Sequence, residues 1–326
     1  MKHTDRKRTL AFLLSVVLSV SFLTGCGTTL QAAYEEQAGN NSYELITIST
    51  QERATSFAAN LAVGETSVAY DGFEIENASA AGLFDLTSNE VVYASNMHAQ
   101  LYMASLTKLM TALVAVKYGS LDQTLTATDS VTITESGAQL AGIKAGDTMT
   151  LEQALNILLI YSANDAANLI AENIGGSIDE FIEMMNEEAN ALGATNTHFT
   201  NVHGLHDDDH YTTVYDLYLI FQEAVKYEAI TQIISQSSYS TTYYNASGTA
   251  QTISVSTTNA FFKQLYEAPE NITILGGKTG YTNQAGQCLA LYAKDVNGNP
   301  YIAIILNSAS RDDVYGQMKL MLELVS

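Results

Sequence analysis

Segments that predict β-strands lie at both ends of the chain, and segments that predict helices lie between them. Two strand-like segments occupy residues 78–85 and 90–94, and three more occupy 272–278, 287–294 and 301–307. A last amphipathic helix is predicted at 311–324. This arrangement implies one antiparallel sheet built from N- and C-terminal strands, with the helical part as a lobe beside it. The sequence therefore predicts an α+β fold over residues 68–326, with a cleft between sheet and lobe.

The middle of the chain carries the helical patterns. Apolar residues recur at helical spacing over 150–161, and a second helix is predicted at 164–174, with Asn164 or Asp165 as its N-cap. Further helices are predicted at 177–192 and 213–227, followed by a polar hairpin at 236–260. Residues 120–150 predict an irregular excursion with short strands.

The N-terminus has the features of a targeting segment. A basic stretch is followed by an apolar run at residues 10–23, which is too short for a comfortable membrane span. The run ends in Leu-Thr-Gly-Cys26, which resembles the bacterial lipobox. We expect a lipoprotein signal peptide at 1–25, then a lipidated Cys26 and a polar tether at 26–67, which would hold the protein on the outer face of the membrane. The alternative is an ordinary cleaved signal, or a signal anchor, with a chance cysteine.

Charge and cysteine content exclude some classes of protein. The formal net charge is −21, which argues against nucleic acid as a partner. If Cys26 is lipidated, Cys288 has no partner for an intramolecular disulfide. Cys288 lies in an apolar, strand-like run and is predicted to be a small buried hydrophobic residue.

Three short motifs suggest chemistry. Ser105 and Lys108 stand at i and i+3 at the start of a predicted helix, where a neutral lysine can take the proton of the serine hydroxyl. Ser162-Ala163-Asn164 falls at a turn between two helices, and Lys278-Thr279-Gly280 ends a predicted strand. Each motif is common by chance when taken alone.

Together and in this order, the motifs resemble the signature shared by penicillin-binding proteins and serine β-lactamases. Residues 104–112, 200–205, 210–217 and 277–286 are similar to the low-molecular-weight D-alanyl-D-alanine carboxypeptidases, and the similarity extends from about Ser79 to the C-terminus. Two positions depart from that pattern: Ala163 stands where Gly is frequent, and Val202 replaces a proline. Many relatives carry an additional C-terminal β-domain, and we expect none after the last helix here.

The resemblance implies a role for each motif residue. Ser105 would attack the carbonyl between two terminal D-alanines of a peptidoglycan stem peptide, with Lys108 as its base. Burial and the nearby Lys278 would lower the pKa of Lys108. Ser162 would pass a proton to the leaving amine. The substrate-binding residues would be Asn164 for the peptide backbone, Lys278 and Thr279 for the terminal carboxylate, Gly280 for close approach to the strand, and Tyr281, whose backbone N–H would complete an oxyanion hole with that of Ser105. Arg311 is a further candidate for the carboxylate, and a structural role is an equal alternative.

The resemblance also implies β-lactams as covalent inhibitors, and neither a cofactor nor a metal. The histidines and aspartates between His198 and His210 fit no standard zinc spacing, so they predict a structured loop beside the cleft. Two rival functions stay open. A serine β-lactamase would need rapid deacylation, but no Glu-x-x-Leu-Asn segment lies between the second and third motifs. A lipid-anchored penicillin sensor would keep the fold without turnover, although no motif residue is missing.

Overall fold

A five-stranded antiparallel sheet pairs strands from the two ends of the chain. The computed structural model describes residues 60–326, and the strands follow the order β2-β1-β9-β8-β7. Their bounds are Ala78–Asp85 (β1), Glu90–Ser95 (β2), Thr273–Thr282 (β7), Gly286–Lys294 (β8) and Pro300–Ser308 (β9). The predicted α+β class and the joining of N- and C-terminal strands are confirmed. The predicted signal peptide, Cys26 and most of the tether lie outside the described residues.

A second, four-stranded sheet corrects the prediction of a single sheet. Its order is β3-β4-β5-β6, with bounds Thr124–Thr126, Thr148–Thr150, Ser238–Tyr244 and Ala250–Ser256. The predicted hairpin is present as β5 and β6, but β5 also pairs with β4 through Thr148 and Tyr244. A contact between segments almost a hundred residues apart leaves no periodic signal in the sequence, which is why the prediction failed.

Seven helices fill the described part of the chain. They are Thr107–Tyr118 (α1), Leu151–Asn156 (α2), Asn164–Gly175 (α3), Ile178–Ala191 (α4), Val214–Ala224 (α5), Glu228–Ile234 (α6) and Arg311–Glu323 (α7). Helices α1 to α6 form the lobe, and α1 is its central member, with its first nine residues all buried. Helix α6 was not predicted. Among these helices, none combines the length and apolar content that a membrane span needs.

The five-stranded sheet is covered on both faces. Helix α7 packs on one face through Val314 and Met318, while Ile304 and Leu306 of β9 belong to the core shared with the lobe. Strands buried on both faces read as continuous apolar runs, as β9 does. The sheet is therefore a rigid base on which the edge strand β7 faces the lobe.

The turn between α2 and α3 differs from the prediction in two ways. Residues Ile157–Tyr161 form a π-helical turn that ends at Ser162, whose backbone is left-handed with φ 70°. The N-cap of α3 is Ala163, so the predicted capping by Asn164 or Asp165 is wrong. The side chains of these two residues bond elsewhere: Asn164 to Lys108, and Asp165 mainly to the backbone of residues 141–143.

Candidate active site

Ser105 lies in a single 3₁₀ turn, Ala104–Leu106, that leads into α1. Its hydroxyl faces a cleft of about 460 Å³ between β7 and the lobe. The first turns of α1 also carry Lys108, so the helix sets the separation between the two side chains. The structure thus gives the first motif the predicted helical geometry.

Lys108 is fully buried and makes three polar contacts. Its Nζ lies 2.9 Å from Ser105 Oγ, 2.6 Å from Asn164 Oδ1 and 2.5 Å from the backbone oxygen of His203. An amide oxygen and a carbonyl oxygen can only accept hydrogen bonds. They use both N–H groups of a neutral amine, which leaves its lone pair for the serine hydroxyl.

The surroundings of Lys108 favour its neutral form. Its pKa is lowered well below the ordinary value, first because burial removes water from the charged form and second because Lys278 places a positive charge nearby. Asp165 acts in the opposite direction and raises the pKa. The net result is a lowered pKa, which favours an amine that is able to accept a proton.

Ser162 and Lys278 form a second serine–lysine pair on the opposite side of the cleft. Lys278 Nζ donates to Ser162 Oγ at 2.8 Å and to the backbone oxygen of Thr279 at 2.9 Å. Burial lowers the pKa of Lys278 to about 7. Because Ser162 Oγ accepts from the lysine, its own O–H remains free to donate into the cleft.

The edge strand β7 passes close to Ser105. Gly280 lies against the turn that holds Ser105, since a Cβ at this position would be 3.1 Å from the Ser105 nitrogen and 2.9 Å from the Met103 oxygen. The strand continues to Thr282, so the third motif lies within the strand. The prediction that this motif ends the strand is therefore wrong. Thr279 donates to Thr258 at 2.6 Å, and the Tyr281 side chain is 58% exposed.

Asp165 fixes the loop that forms one wall of the cleft. Its carboxylate accepts the backbone N–H groups of Ala141, Gly142 and Ile143 at 2.8–3.0 Å. The backbone N–H of Asn164 donates to the backbone oxygen of Gln139 in the same loop, and Gln139 lines the cleft. One turn of α3 therefore positions both a contact of Lys108 and the facing wall.

Eighteen residues line the cleft. They include Ser105, Gln139, Ser162, Asn164, Thr258, Lys263, Thr279, Gly280, Tyr281, Cys288 and Arg311. No Asp or Glu is among the lining residues of the described chain, so lysine and arginine supply the charged groups there. Arg311 also lies over the ring of Tyr315, 6.0 Å from its centroid.

The loop from His198 to His210, the histidine loop, lies beside the cleft and contains a partly buried ring, His203, and a buried ring, His210, both neutral. Burial lowers the pKa of His203 to about 3 and that of His210 to about 4. Within residues 60–326, no group of three or more His, Cys, Asp or Glu is arranged to hold a metal. The loop contributes the carbonyl of His203 to Lys108, a contact that the sequence did not indicate because any residue carries that oxygen.

Cys288 is buried on β8, where it pairs with Gly280 of β7. Burial raises the pKa of its thiol to about 12, so the thiol is protonated at neutral pH. This is the small buried residue that the sequence predicted.

The structure brings the predicted site residues among 60–326 together at one cleft: Lys108 and Lys278 are buried beneath it and contact Ser105 and Ser162, and the others line it. It adds three groups that the sequence analysis missed: the His203 carbonyl, Thr258 and Gln139. Thr258 follows β6 within a polar run, and nothing in the sequence distinguishes it from its polar neighbours. Its place in the site is evident only from its contact with Thr279. Gln139 has no signal in the sequence.

A serine hydroxyl beside a neutral lysine, a second serine–lysine pair and a strand edge are the arrangement that serine acyl-transfer sites require. The chain belongs to the D-alanyl-D-alanine carboxypeptidase family, peptidase family S11, whose model matches residues 65–310. The family predicted from the motifs is thereby confirmed.

Two curated relatives show the extent of the similarity. D-alanyl-D-alanine carboxypeptidase DacF of Bacillus subtilis is 32% identical over 253 residues, which are 76% of this chain and 61% of the relative. DacB2 of Mycobacterium tuberculosis is 34% identical over 203 residues, 62% of this chain and 65% of the relative. The chain thus spans about six tenths of the length of these relatives.

Solved structures show the same fold. The Streptomyces K15 DD-transpeptidase is 25% identical and superposes with a TM-score of 0.71, covering 77% of this chain and 97% of the other.

Proposed function

We propose that this protein is a serine D-Ala-D-Ala carboxypeptidase that removes the terminal D-alanine from peptidoglycan stem peptides. The observation that carries the proposal is the environment of Lys108. Two acceptor-only oxygens use both N–H groups of the neutral amine, and the only group left for its lone pair is the Ser105 hydroxyl. The other acceptor near that hydroxyl, the His203 oxygen, lies 3.5 Å from Oγ, which is long for an O–H donor.

Acylation then follows from the two serine–lysine pairs. Ser105 Oγ forms a bond to the carbonyl carbon of the penultimate D-alanine as its proton passes to Lys108 Nζ. The tetrahedral intermediate collapses as the C–N bond breaks and Ser162 O–H delivers a proton to the departing amine nitrogen, while Lys278 Nζ, which donates to Ser162 Oγ, replaces the proton that Ser162 gives up. The proton that Lys108 took from Ser105 passes through water to Lys278, so both lysines regain their starting protonation before deacylation. D-alanine leaves, and the acyl group remains on Ser105. General base catalysis of this kind contributes roughly 10²–10⁴-fold in rate.

Backbone amides stabilise the developing oxyanion in this proposal. The N–H groups of Ser105 and Tyr281 lie on the two elements that Gly280 allows to approach each other. Such donors act on charge that forms only in the transition state, and losing one typically costs about 3–4 kcal/mol of barrier. Ser105 also stands just before α1, whose dipole favours negative charge at this end.

The terminal carboxylate of the substrate is proposed to lie between Thr279 and Arg311. Lys278 is fully buried, so its charge acts on the carboxylate through space, without direct contact. The Asn164 Oδ1 atom is occupied by Lys108, which leaves the Nδ2 group of Asn164 for a carbonyl of the peptide backbone.

The cleft disfavours the β-lactamase alternative. Rapid deacylation of penicillin commonly depends on a glutamate that positions water, and the described residues that line this cleft include no carboxylate. We therefore expect the penicilloyl group on Ser105 to persist, while the peptidyl ester that remains after D-alanine release is hydrolysed with Lys108 as the base for water. The sensor alternative is disfavoured because the base and the second serine–lysine pair are both in place.

Release of D-alanine from a peptide ending in D-Ala-D-Ala tests the proposal. Wild-type protein should release it, and Ser105→Ala should abolish release. Fluorescent penicillin should label wild type at Ser105 for minutes or longer. Unchanged release by Ser105→Ala would contradict the nucleophile, rapid loss of the label would favour a β-lactamase, and labelling without peptide turnover would favour a sensor.

We propose further that residues 1–25 direct export and that Cys26 carries lipid, which places the enzyme on the outer face of the membrane. The support is the sequence alone: a basic stretch, a short apolar run and Leu-Thr-Gly-Cys26. Intact mass of the protein from a bacterial membrane fraction should show acyl chains on Cys26, and Cys26→Ser should move the protein to the soluble fraction. A soluble, unmodified wild-type protein would refute the anchor.

A further inference from the structure

The residue before the nucleophile has a left-handed backbone. Ala104 has φ 47°, a conformation that costs a non-glycine residue roughly 1–2 kcal/mol. Such a conformation persists only when its surroundings hold it. Because Ala104 immediately precedes Ser105, the same surroundings determine where the Ser105 hydroxyl and amide point.

Two glycines enclose this turn. Gly204 has φ 86°, and a Cβ there would overlap the carbonyl oxygen of Ala104 and lie 2.8 Å from Thr107 Oγ1. On the other side, Gly280 lies against the Ser105 nitrogen. The peptide group between Ala104 and Ser105 is therefore packed between the histidine loop and β7.

A chain of hydrogen bonds runs from the histidine loop to the Ala104 carbonyl. The Thr200 N–H donates to His210 Nδ1 at 3.0 Å, His210 Nε2 lies 2.8 Å from Thr107 Oγ1, and the Thr107 hydroxyl donates to the Ala104 oxygen at 2.7 Å. His210 and Thr107 are both buried, and neither lines the cleft.

The donor and the acceptor of each bond in this hydrogen-bond chain can be assigned. A backbone N–H can only donate, so His210 Nδ1 must accept and the ring proton must be on Nε2. The Thr107 hydroxyl has a single hydrogen, which goes to Ala104, so it accepts from His210. A neutral ring fits this pattern, and the pKa of His210, lowered to about 4 by burial, agrees with it. The ring also packs edge-on against Phe199, with centroids 5.7 Å apart.

We propose that His210 is a positioning residue for the acylation of Ser105, and that it acts through Thr107 on the Ala104 carbonyl. It touches neither the substrate nor the reacting atoms. Its bond orients the Thr107 hydroxyl, which holds the left-handed turn and with it the direction of the Ser105 side chain. The inference rests on the proposed function, because it concerns how fast Ser105 is acylated.

Two substitutions separate the hydrogen bonds of His210 from its bulk. His210→Phe keeps a ring against Phe199 but can neither accept from Thr200 nor donate to Thr107. His210→Gln keeps an acceptor and a donor on one planar group. His198→Phe is the matched control. His198 lies on the same loop, and its ring bonds to the Asp209 oxygen, which is not part of the hydrogen-bond chain from Thr200 to Ala104. The measurement is the second-order rate of labelling by fluorescent penicillin, with circular dichroism and thermal unfolding as checks of folding.

We expect His210→Phe to lower the labelling rate about 10- to 100-fold, because a small misplacement of a reacting group can cost about 10² in rate. His210→Gln and His198→Phe should stay within about threefold of wild type. A His210→Phe variant that is folded and labelled at the wild-type rate would overturn the inference, as would a loss in His210→Gln as large as that in His210→Phe. An unlabelled wild type that also releases no D-alanine would instead refute the proposed function, and the positioning role with it.

Thr107→Val provides a second route that does not alter His210. It should lower the rate by a similar factor, and the double variant His210→Phe/Thr107→Val should be no slower than the slower single variant, because both remove the same chain. A general packing defect at two sites would instead multiply the two losses. Multiplied losses in folded protein would therefore overturn the proposal even if each single variant is slow.

Discussion

Lys278 Nζ and Ser162 Oγ are 2.8 Å apart, and they join the edge strand β7 to the turn before α3 across the floor of the cleft. The same ammonium lowers the pKa of Lys108. One buried lysine therefore acts on both halves of the proposed reaction: on the serine that protonates the leaving amine, and on the base that activates the nucleophile.

Replacing Lys278 by Met should move the acid limb of the acylation rate to higher pH. The neighbouring cation disfavours a proton on Lys108, so its removal raises the pKa of Lys108, and a higher pH is needed to obtain the neutral amine. The pH dependence of labelling by fluorescent penicillin measures this midpoint. Lys263→Met is the control, because Lys263 lines the cleft but does not affect the pKa of Lys108. A midpoint that stays in place or falls in Lys278→Met would contradict the assignment of the base.

Asp165→Asn should move the same limb in the opposite direction. The Asp165 carboxylate raises the pKa of Lys108, so neutralising it lets the lysine lose its proton at lower pH. The variant should also be less stable by about 1–3 kcal/mol, because one amide group would face the backbone N–H groups that the carboxylate now accepts. Urea unfolding measures the loss, and the pH profile measures the limb. A midpoint of the acid limb that moves to higher pH would contradict this prediction, since displacement of the loop would then outweigh the loss of the negative charge.

Gly204→Ala should destabilise the protein by about 3 kcal/mol, because a left-handed backbone and overlap with Ala104 act together. Gly248→Ala separates the two causes: Gly248 has φ 74° with open space around it, so only the backbone cost of about 1 kcal/mol applies. Urea unfolding at pH 7 compares them. Equal losses in the free energy of unfolding would contradict a tight contact between Gly204 and the turn Ala104–Leu106.

Stability should decrease as pH falls from about 6.5 to about 4, and His210 should account for part of the decrease. The ring has a pKa of about 4 in the folded protein and an ordinary pKa of 6.5. The unfolded chain therefore binds the proton first on acidification, and stability is lost across that window. The contribution is about 2 kcal/mol between pH 7 and pH 5. Urea unfolding of wild type and His210→Gln at both pH values tests the sign, because the variant should lose less stability than wild type.

The sequence was a good guide where the relevant interactions are local. The bounds of β1, the helical start at Ser105 and the presence of α4 within 177–192 all depend on neighbouring residues, and all appear as predicted. The three motifs indicated the signature shared by penicillin-binding proteins and serine β-lactamases, and the longer similar segments around them identified the family. Local patterns predict which elements form, and resemblance to a family predicts which motif residues lie together in the fold.

The failures share one physical cause, which is contact between residues distant along the chain. Asp165 was interpreted as a helix cap, yet its main partners lie 22–24 residues earlier and form the cleft wall. Lys108 bonds to a carbonyl 95 residues away. The second sheet depends on the pairing of Thr148 with Tyr244. None of these contacts has a spacing that a helix or strand pattern can reveal.

The burial of Cys288 makes this residue a natural reporter of motion in the sheet. Cys288 is paired with Gly280 in the register of β7 and β8, and its thiol is the only one in the described part of the chain. A reagent that consumes thiolates reacts with it only while the strands separate and water reaches the sulfur. The rate of thiol modification in the folded protein therefore measures how often the sheet opens beside the nucleophile, and a β-lactam bound to Ser105 should slow it if acylation tightens the contact between β7 and the lobe.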